Sequence, residues 1–211
     1  MARTGRRPGD SGTRQAILDA ARAQFGERGF HATTIRGVAA RAGVDPALVM
    51  HYFGSKDGLF GACVQWPFDP AAELPRLLAD GPGEVGRRLV ELFVRTWDDE
   101  QGANTVVALL RAAMTQEATR RLLTEFLAAQ LFGPLTAALE VDRGELRASL
   151  AMSQLVGVGV ARYLLRVEPL ASLAPELVVA SVAPVVQAQL TGPLPAVTPP
   201  SAGGRSSAPP R

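Results

Sequence analysis

The chain has 211 residues, 47% of them apolar, which is enough for a small N-terminal unit and a helical body with a buried core. Its single cysteine excludes an intrachain disulfide and favours a reducing, cytoplasmic location. No uninterrupted apolar run reaches the roughly 18 residues of a membrane span, and no apolar segment follows the N-terminal arginines. We therefore expect neither a membrane partner nor a signal peptide.

Basic side chains are concentrated at the N-terminal end. Residues 1–60 carry nine Lys/Arg and five Asp/Glu, a net charge of +4, whereas the remainder has a net charge of −2. This distribution is expected where only one end of a protein meets phosphate. Residues 1–12 contain three arginines and no core-forming pattern, which predicts a disordered basic arm that either reaches DNA or stays solvated.

Three short helices are predicted after this arm. The first runs from Thr13 to Arg28 and ends at Gly29, because apolar and charged residues alternate at helical spacing up to that glycine. The second follows Thr34, with apolar residues at i, i+3, i+4 and i+7, and ends at Gly43, which tolerates a left-handed C-terminal position.

The third helix begins immediately after that turn. Asp45 can cap its free backbone N–H groups, and Pro46 suits the first helical position because it has no N–H to leave unpaired. Two short helices joined by a tight glycine-containing turn are typical of a helix-turn-helix, whose second helix enters a DNA major groove. The alternative is an ordinary three-helix piece of core.

The run G-F-H-A-T-T-I-R-G-V-A-A-R-A-G-V-D-P-A-L-V-M-H-Y-F-G-S-K-D-G-L-F, from Gly29 to Phe60, resembles the DNA-binding segment of the TetR family of bacterial one-component regulators. The resemblance covers residues 13–66. It implies an all-α fold, with a three-helix helix-turn-helix DNA-binding domain over residues 13–60. A helical effector-binding and dimerisation domain would follow over residues 61–191.

DNA contacts are expected from both helices of the motif. Periodicity places Val49 and Phe53 on the inward face of the second helix. Four residues then project outward, toward DNA: Ala47, Leu48, Met50 and His51. The family resemblance implies further contacts to the DNA backbone, made by Thr34, Ile35, Arg36, Tyr52 and Lys56.

The outward face differs from the family's commoner choices. Leu48 and Met50 stand where relatives often carry a hydroxyl or a tyrosine, and neither side chain can donate a hydrogen bond to a base. Apolar side chains can still contact thymine methyl groups. We therefore expect thymines opposite these residues, with more specificity coming from His51, Arg36 and DNA shape. Alternatively, Leu48 packs inward.

A further helix, capped by Ser55, should link this module to the body. It carries Cys63, which is interpreted as a redox sensor or, because its neighbours are apolar, as a buried structural thiol. After the break at residues 66–70, helical patterns recur without strand signals. The predicted ranges are 71–78, 84–97, 105–114, 117–132, 133–139, 143–165 and 175–190.

The last two predicted helices, 143–165 and 175–190, are apolar nearly all round. A monomer of this size would struggle to cover them, so they predict a homodimer interface, unless they form a purely internal core. The tail over residues 192–211 is rich in Pro, Ser and Gly and is expected to be disordered.

An effector pocket is implied by the family resemblance. Its candidate lining residues are Phe93, Trp97, Arg111, Met114 and Phe126, with Arg111 as a polar handle. The expected ligand is an apolar or weakly polar small molecule.

The expected function is a homodimeric repressor that a small molecule releases from a palindromic double-stranded DNA operator. The alternatives are an activator or an effector-independent DNA-binding protein. No metal-ligand cluster, phosphate-binding glycine loop or nucleophile motif is present, so we expect no enzyme, cofactor or metal.

Overall fold

The computed structural model describes residues 9–195, and over that range the chain is helical without strands. Residues 1–8 and 196–211, which include most of the predicted arm and tail, lie outside the described residues. The all-α prediction is confirmed. Four helices form the N-terminal unit: α1 (Gly9–Ala32), α2 (Ile35–Ala42), α3 (Pro46–Phe53) and α4 (Lys56–Val64).

The N-terminal helices bury one shared core. Ile17 and Phe25 from α1 meet Val38 from α2, Val49 from α3 and Phe60 from α4, and each is at most 1% exposed. Cys63 and Val64 belong to the same core, so this core extends beyond residue 60. Burial of these apolar side chains holds together helices that are too short to be stable alone.

The first helix differs from its prediction at both ends. It begins at Gly9 rather than Thr13, because residues 9–12 have no apolar period by which the sequence could reveal a first turn. Gly29 interrupts it as predicted, with φ 76° and ψ 173°, but helical structure resumes through Ala32. The Thr33 hydroxyl donates to the Gly29 carbonyl at 2.8 Å, which satisfies an acceptor at this break.

The body helices follow the predicted order closely. They are α5 (Pro70–Leu78), a 3₁₀ turn (Pro82–Glu84), α6 (Val85–Asp98), α7 (Glu100–Thr115), α8 (Glu117–Phe126), α9 (Gly133–Ala138), α10 (Gly144–Gly159) and α11 (Pro175–Thr191). The start of α7, predicted at Thr105, lies at Glu100. The Asp99 carboxylate accepts from the Gly102 N–H at 2.7 Å and so caps the helix earlier.

Two π-helical segments continue body helices without a break. The first, Leu127–Phe132, joins α8 to α9, and the second, Val160–Leu164, extends α10. Such segments are rare in proteins and occur frequently at functional sites. Apolar periodicity did not distinguish them from α-helix.

The body core is built around α6 and α11. Val90 packs with Val178, Val186 and Leu190, and each of these residues is fully buried. Gly86 is required at this crossing, because a Cβ there would lie 2.6 Å from the Gln187 backbone nitrogen. The two helices therefore pack in contact through their backbones.

The end of α8 belongs to both cores. Phe126 is 1% exposed and packs in the N-terminal core, whereas Leu131 and Phe132 of the adjoining π-helical segment pack in the body core. Leu127 contacts both. We predicted α4 as the connection between the two units; α8 and this π-helical segment provide a second one.

Residues 192–195 are held against the body, in contrast to the disorder predicted from residue 192 onward. Arg147, which is 5% exposed, donates to the Gly192 carbonyl at 2.9 Å and to Asp142 at 2.6 Å. Arg143 donates to the Pro195 carbonyl at 2.8 Å. A buried guanidinium needs these acceptors, and the composition of the tail gave no sign of them.

No helix within the described range is long and apolar enough to cross a membrane.

Candidate DNA-contacting surface and ligand cavity

Backbone caps fix the geometry of the helix-turn-helix. The Thr34 hydroxyl accepts from the Gly37 N–H at 3.0 Å and starts α2. Gly43 ends α2 with φ 69° and ψ 32°, and the Asp45 carboxylate accepts from the Ala47 N–H at 2.7 Å to start α3. The roles of Gly43 and Asp45 were predicted from residue type, whereas the cap formed by Thr34 was not.

The outward face of α3 is largely as predicted. Ala47 and His51 are exposed, Met50 is 43% exposed, and Val49 is fully buried. Leu48 is half-buried, so its side chain lies between the two predicted orientations. α3 therefore presents a mostly apolar surface with His51 beside it.

The residues expected to contact the DNA backbone are not equally accessible. Thr34 and Arg36 are exposed at the start of α2, whereas Ile35 is half-buried against the N-terminal core. Tyr52 is half-buried, and its ring lies 5.7 Å from that of His51. Ile35 and Tyr52 therefore pack against the N-terminal core in addition to any contact that they make with DNA.

Lys56 lies over the last turn of α1, which follows the break at Gly29. Its amine donates to the His31 carbonyl at 3.3 Å and lies 4.4 Å from the centre of the Phe30 ring. The ring face attracts the cation, and the carbonyl satisfies one of its protons. The position of Lys56 consequently depends on this turn.

An ion pair joins α1 to α2 near the same surface. Arg41 lies 2.8 Å from Glu27, and hydrogen bonding to this guanidinium lowers the pKa of the Glu27 carboxyl. Both side chains are exposed, so the pair adds little stability. The charge of Arg41 is therefore already compensated by Glu27. Arg36, by contrast, has no ion pair among the described residues.

Two polar contacts from the body reach the N-terminal unit. The Glu125 carboxylate on α8 accepts from the Phe30 N–H at 2.7 Å, and the Gln130 amide donates to Asp57 at 2.6 Å. Both contacts involve neighbours of Lys56, because its amine lies over the Phe30 ring and Asp57 follows it in the chain. Sequence reasoning missed both, because 95 and 73 residues separate the partners and no local pattern relates them.

A cavity of about 100 Å³ lies in the body, between α6, α7, the end of α8 and α10. Five aromatic side chains line it: Trp66, Phe68, Phe93, Trp97 and Phe132. Aliphatic side chains complete most of the wall, and among the described lining residues only Thr96 has a hydroxyl. The Thr96 hydroxyl donates to the Leu92 carbonyl at 2.8 Å, so its proton is already bonded.

Only two of the five candidate pocket residues line this cavity. Phe93 and Trp97 do, whereas Arg111, Met114 and Phe126 lie outside it. Arg111 is exposed, one residue past the lining Leu110, and Met114 is 77% exposed one turn beyond it. Phe126 faces the N-terminal core instead, 5.7 Å from the Phe60 ring. The spacing of apolar residues along α7 and α8 did not show which side of each helix faces the cavity.

Cys63 is buried on α4, 3.9 Å from the Leu18 carbonyl. Burial raises the pKa of its thiol to about 12, so the reactive thiolate is suppressed. This environment favours the structural interpretation over the redox sensor. Among the described residues, no group of three His, Cys, Asp or Glu side chains is placed to hold a metal ion.

Comparison with known families identifies both parts of the chain. The model described as "Bacterial regulatory proteins, tetR family" matches residues 17–63, which contain the helix-turn-helix. The model described as "Tetracyclin repressor-like, C-terminal domain" matches residues 83–190, more than half of the chain. The chain belongs to the TetR family of bacterial transcriptional regulators.

Individual TetR-family relatives match over different lengths. The HTH-type transcriptional regulator BetI of Rhizobium meliloti is 32% identical over 161 residues, which are 72% of this chain and 78% of BetI. The HTH-type transcriptional dual regulator CecR of Shigella flexneri is 40% identical over 89 residues, 39% of this chain and 40% of CecR. The chain thus aligns with about two fifths of CecR and of several similar regulators.

A solved structure of a TetR-family regulator from Streptomyces coelicolor A3 is 34% identical, with a TM-score of 0.43. The match covers 89% of this chain and 99% of that protein.

Proposed function

We propose that this TetR-family protein is a homodimeric DNA-binding repressor, which a small molecule releases from a palindromic operator. One observation carries the proposal: the end of α8 joins the wall of an apolar cavity to the core of the helix-turn-helix unit. Leu123 lines the cavity and is buried in the N-terminal core, so an occupant of the cavity contacts a residue on which the DNA-binding helices pack.

DNA binding would use the exposed edge of α2 and α3. Thr34 and Arg36 start α2, where backbone N–H groups and a cation favour phosphate. Tyr52 and Lys56 would anchor the other side of the motif, while Ile35 contributes chiefly packing. These contacts set the register of the protein on the duplex.

Base recognition would come from α3, through Ala47, Leu48, Met50 and His51. Met50, with its exposed thioether chain, is suited to a thymine methyl group, and half-buried Leu48 can reach one if the groove approaches closely. Replacing the facing thymines by uracil removes only the methyl groups and should weaken binding. Unchanged affinity would contradict this assignment.

Dimerisation would use the uncovered faces of α10 and α11. On α11, exposed positions recur at helical spacing as Leu177, Ala180, Ser181, Pro184, Val185 and Ala188. On α10, Leu146 and Val156 are also exposed. The inward faces of both helices form the body core, so an internal core and a dimer interface are compatible. Two copies would place two helix-turn-helix units on one DNA.

Release from DNA requires the effector to bind one conformation more tightly than the other. Leu127 touches the cavity and both cores, while Glu125 and Gln130 on the same stretch bond to the N-terminal unit. A shift of this stretch on ligand binding would change how the turn that holds Lys56 is supported.

The decisive experiment is selection of bound sequences from random DNA by the full chain. A recovered palindrome with half-sites about 34 Å apart would support DNA binding and dimerisation together. Arg36→Ala should then weaken binding and reduce the dependence of log Kd on log salt by about 1, because one phosphate contact is lost. Arg111→Ala, at an arginine on the body that is also exposed, is the matched control.

Recovery of no enriched sequence would refute the proposal. Equal effects of the two arginine substitutions would refute the assigned surface. Titration of the selected DNA with and without a metabolite extract separates an effector-responsive protein from an effector-independent one, and a reporter gene downstream of the site separates repression from activation.

A further inference from the structure

The cavity wall offers few polar groups to a ligand, and one of its lining residues, Trp66, has a buried indole N–H without a hydrogen-bond partner. Besides its five aromatic rings it is lined by aliphatic side chains such as Leu110, Met152 and Leu155. The Thr96 hydroxyl proton is bonded to the Leu92 carbonyl. No charged side chain is among the described lining residues, since Arg111 lies outside the cavity.

Charged side chains on neighbouring turns of α6 are already paired away from the cavity. Arg95 donates to Glu73 at 3.1 Å, and Asp98 accepts from the Tyr163 hydroxyl at 2.9 Å. An ionised ligand entering the cavity would therefore lose its hydration without gaining a counter-charge, which is strongly unfavourable.

The size of the cavity limits the ligand further. Its volume is about 100 Å³, and engineered apolar cavities of roughly 150 Å³ stay dry and bind benzene or xenon. Water needs several polar partners to occupy such a space, and this wall does not supply them. A molecule of about one ring is the ligand that matches this volume and surface.

Residues outside the cavity hold the Trp97 ring in place. The Trp97 ring stacks on Tyr163 with centroids 5.0 Å apart, and the Tyr163 hydroxyl is anchored on Asp98. Gly159 makes room for Trp97, because a Cβ at that position would lie 2.8 Å from the indole. Phe93 lies 6.0 Å from Trp97 at a tilt of 52°, so the two rings present both an edge and a face.

We propose that the cavity selects an uncharged, apolar molecule of about one ring and rejects ionised analogues of the same shape. This inference rests on the proposed function, because it specifies the effector of the same site. It narrows the apolar or weakly polar ligand expected from the sequence to an uncharged, apolar molecule of about one ring.

Fluorescence provides a direct test, because both tryptophans of the chain, Trp66 and Trp97, line the cavity. Toluene, benzoate and benzylammonium share one ring and differ in charge, and each is titrated against the full-length protein with excitation at the tryptophan band. Toluene should produce a saturable change in emission. The two ions should bind at least about 100-fold more weakly, because burying an uncompensated charge is costly.

Variants assign any change in emission to the cavity. Leu110→Phe and Val106→Phe each add volume at the wall, and either should abolish the response to toluene; two sites are used in case one variant folds poorly. Met114→Phe adds an aromatic ring on α7 at a residue that is 77% exposed and does not line the cavity, so it should leave the affinity for toluene within about twofold.

Comparable binding of benzoate or benzylammonium, or no saturable response to toluene, would overturn the proposal. A toluene response that persists in both Leu110→Phe and Val106→Phe would place the ligand elsewhere and overturn it as well. DNA affinity without any ligand, measured on the selected operator, is a separate readout. Its absence would refute the proposed function, whereas its presence with an unselective cavity would refute only this inference.

Discussion

Replacing Gly29 by alanine tests how the turn between α1 and α2 is held. Gly29 has φ 76° and ψ 173°, a backbone region that is essentially restricted to glycine. A Cβ there would also lie 3.0 Å from one oxygen of Glu125, the side chain that accepts from the Phe30 N–H. The substitution therefore combines backbone strain with crowding.

Backbone strain should be the larger of the two effects. Holding alanine in this region costs about 1–3 kcal/mol. The carboxylate of Glu125 ends a flexible side chain and can move a few tenths of an ångström, so crowding should add less than about 1 kcal/mol, a fraction of its hydrogen bond. A total of about 1–4 kcal/mol corresponds to a fall in Tm of about 2–16 °C for a chain of this length.

Gly43→Ala is the matched control. Gly43 has φ 69° and ψ 32°, in the ordinary left-handed region, and a Cβ there meets nothing within 4 Å. Its cost should stay near about 1 kcal/mol. Unfolding in urea, followed by circular dichroism at one fixed protein concentration, measures both variants in the wild type and in a Glu125→Ala background.

The reasoning is refuted if Gly29→Ala costs no more than Gly43→Ala. It is equally refuted if most of the cost of Gly29→Ala disappears in the Glu125→Ala background, since crowding would then outweigh strain. We expect a small coupling free energy between Gly29→Ala and Glu125→Ala.

Two further predictions concern pH and assembly. Burial raises the pKa of Cys63 to about 12 from its ordinary 9.0, so the unfolded chain loses this proton first, and the free energy of unfolding should fall as pH rises above about 9. The pKa of Tyr163 is also raised to about 12, so this tyrosine contributes to the loss of stability in part of the same pH range. Cys63→Ala should therefore make the free energy of unfolding fall less steeply with pH, without abolishing the fall. An unchanged pH dependence would contradict the assignment to Cys63. Val185→Glu on the exposed face of α11 should weaken dimerisation at least about tenfold in light scattering, because it buries an unpaired charge. Met114→Glu, at a residue that is 77% exposed on α7, is the control, and equal effects would place the interface elsewhere.

Local chemistry made much of the fold predictable from the sequence. Gly43 needs a left-handed backbone, Asp45 can cap only the helix that follows it, and Pro46 suits a first turn, so these residues defined the helix-turn-helix without any tertiary information. Val49 was assigned inward by its spacing from Phe53, and it is fully buried.

Tertiary placement was not predictable in the same way. Phe126 and Trp97 are both large, buried aromatics, yet one packs in the N-terminal core and the other lines the cavity. Periodicity identifies a buried face but not the partner of that face, so the candidate pocket mixed residues from two cores. The bond from Glu125 to Phe30 depends on how α8 lies against α1, which local sequence does not encode.

The hydrogen bonds from Arg143 and Arg147 to residues 192–195 limit how far the C-terminus can be shortened. Arg147 is buried, and part of its guanidinium is satisfied by the carbonyl of Gly192. A chain truncated after Leu190 would lose that acceptor and weaken the hydrogen bonding of a buried guanidinium, whose bonds to Asp142 and to the Gln189 carbonyl remain. A chain ending at Pro195 would keep the contacts of both Arg143 and Arg147, and is therefore the shorter form to choose for crystallisation.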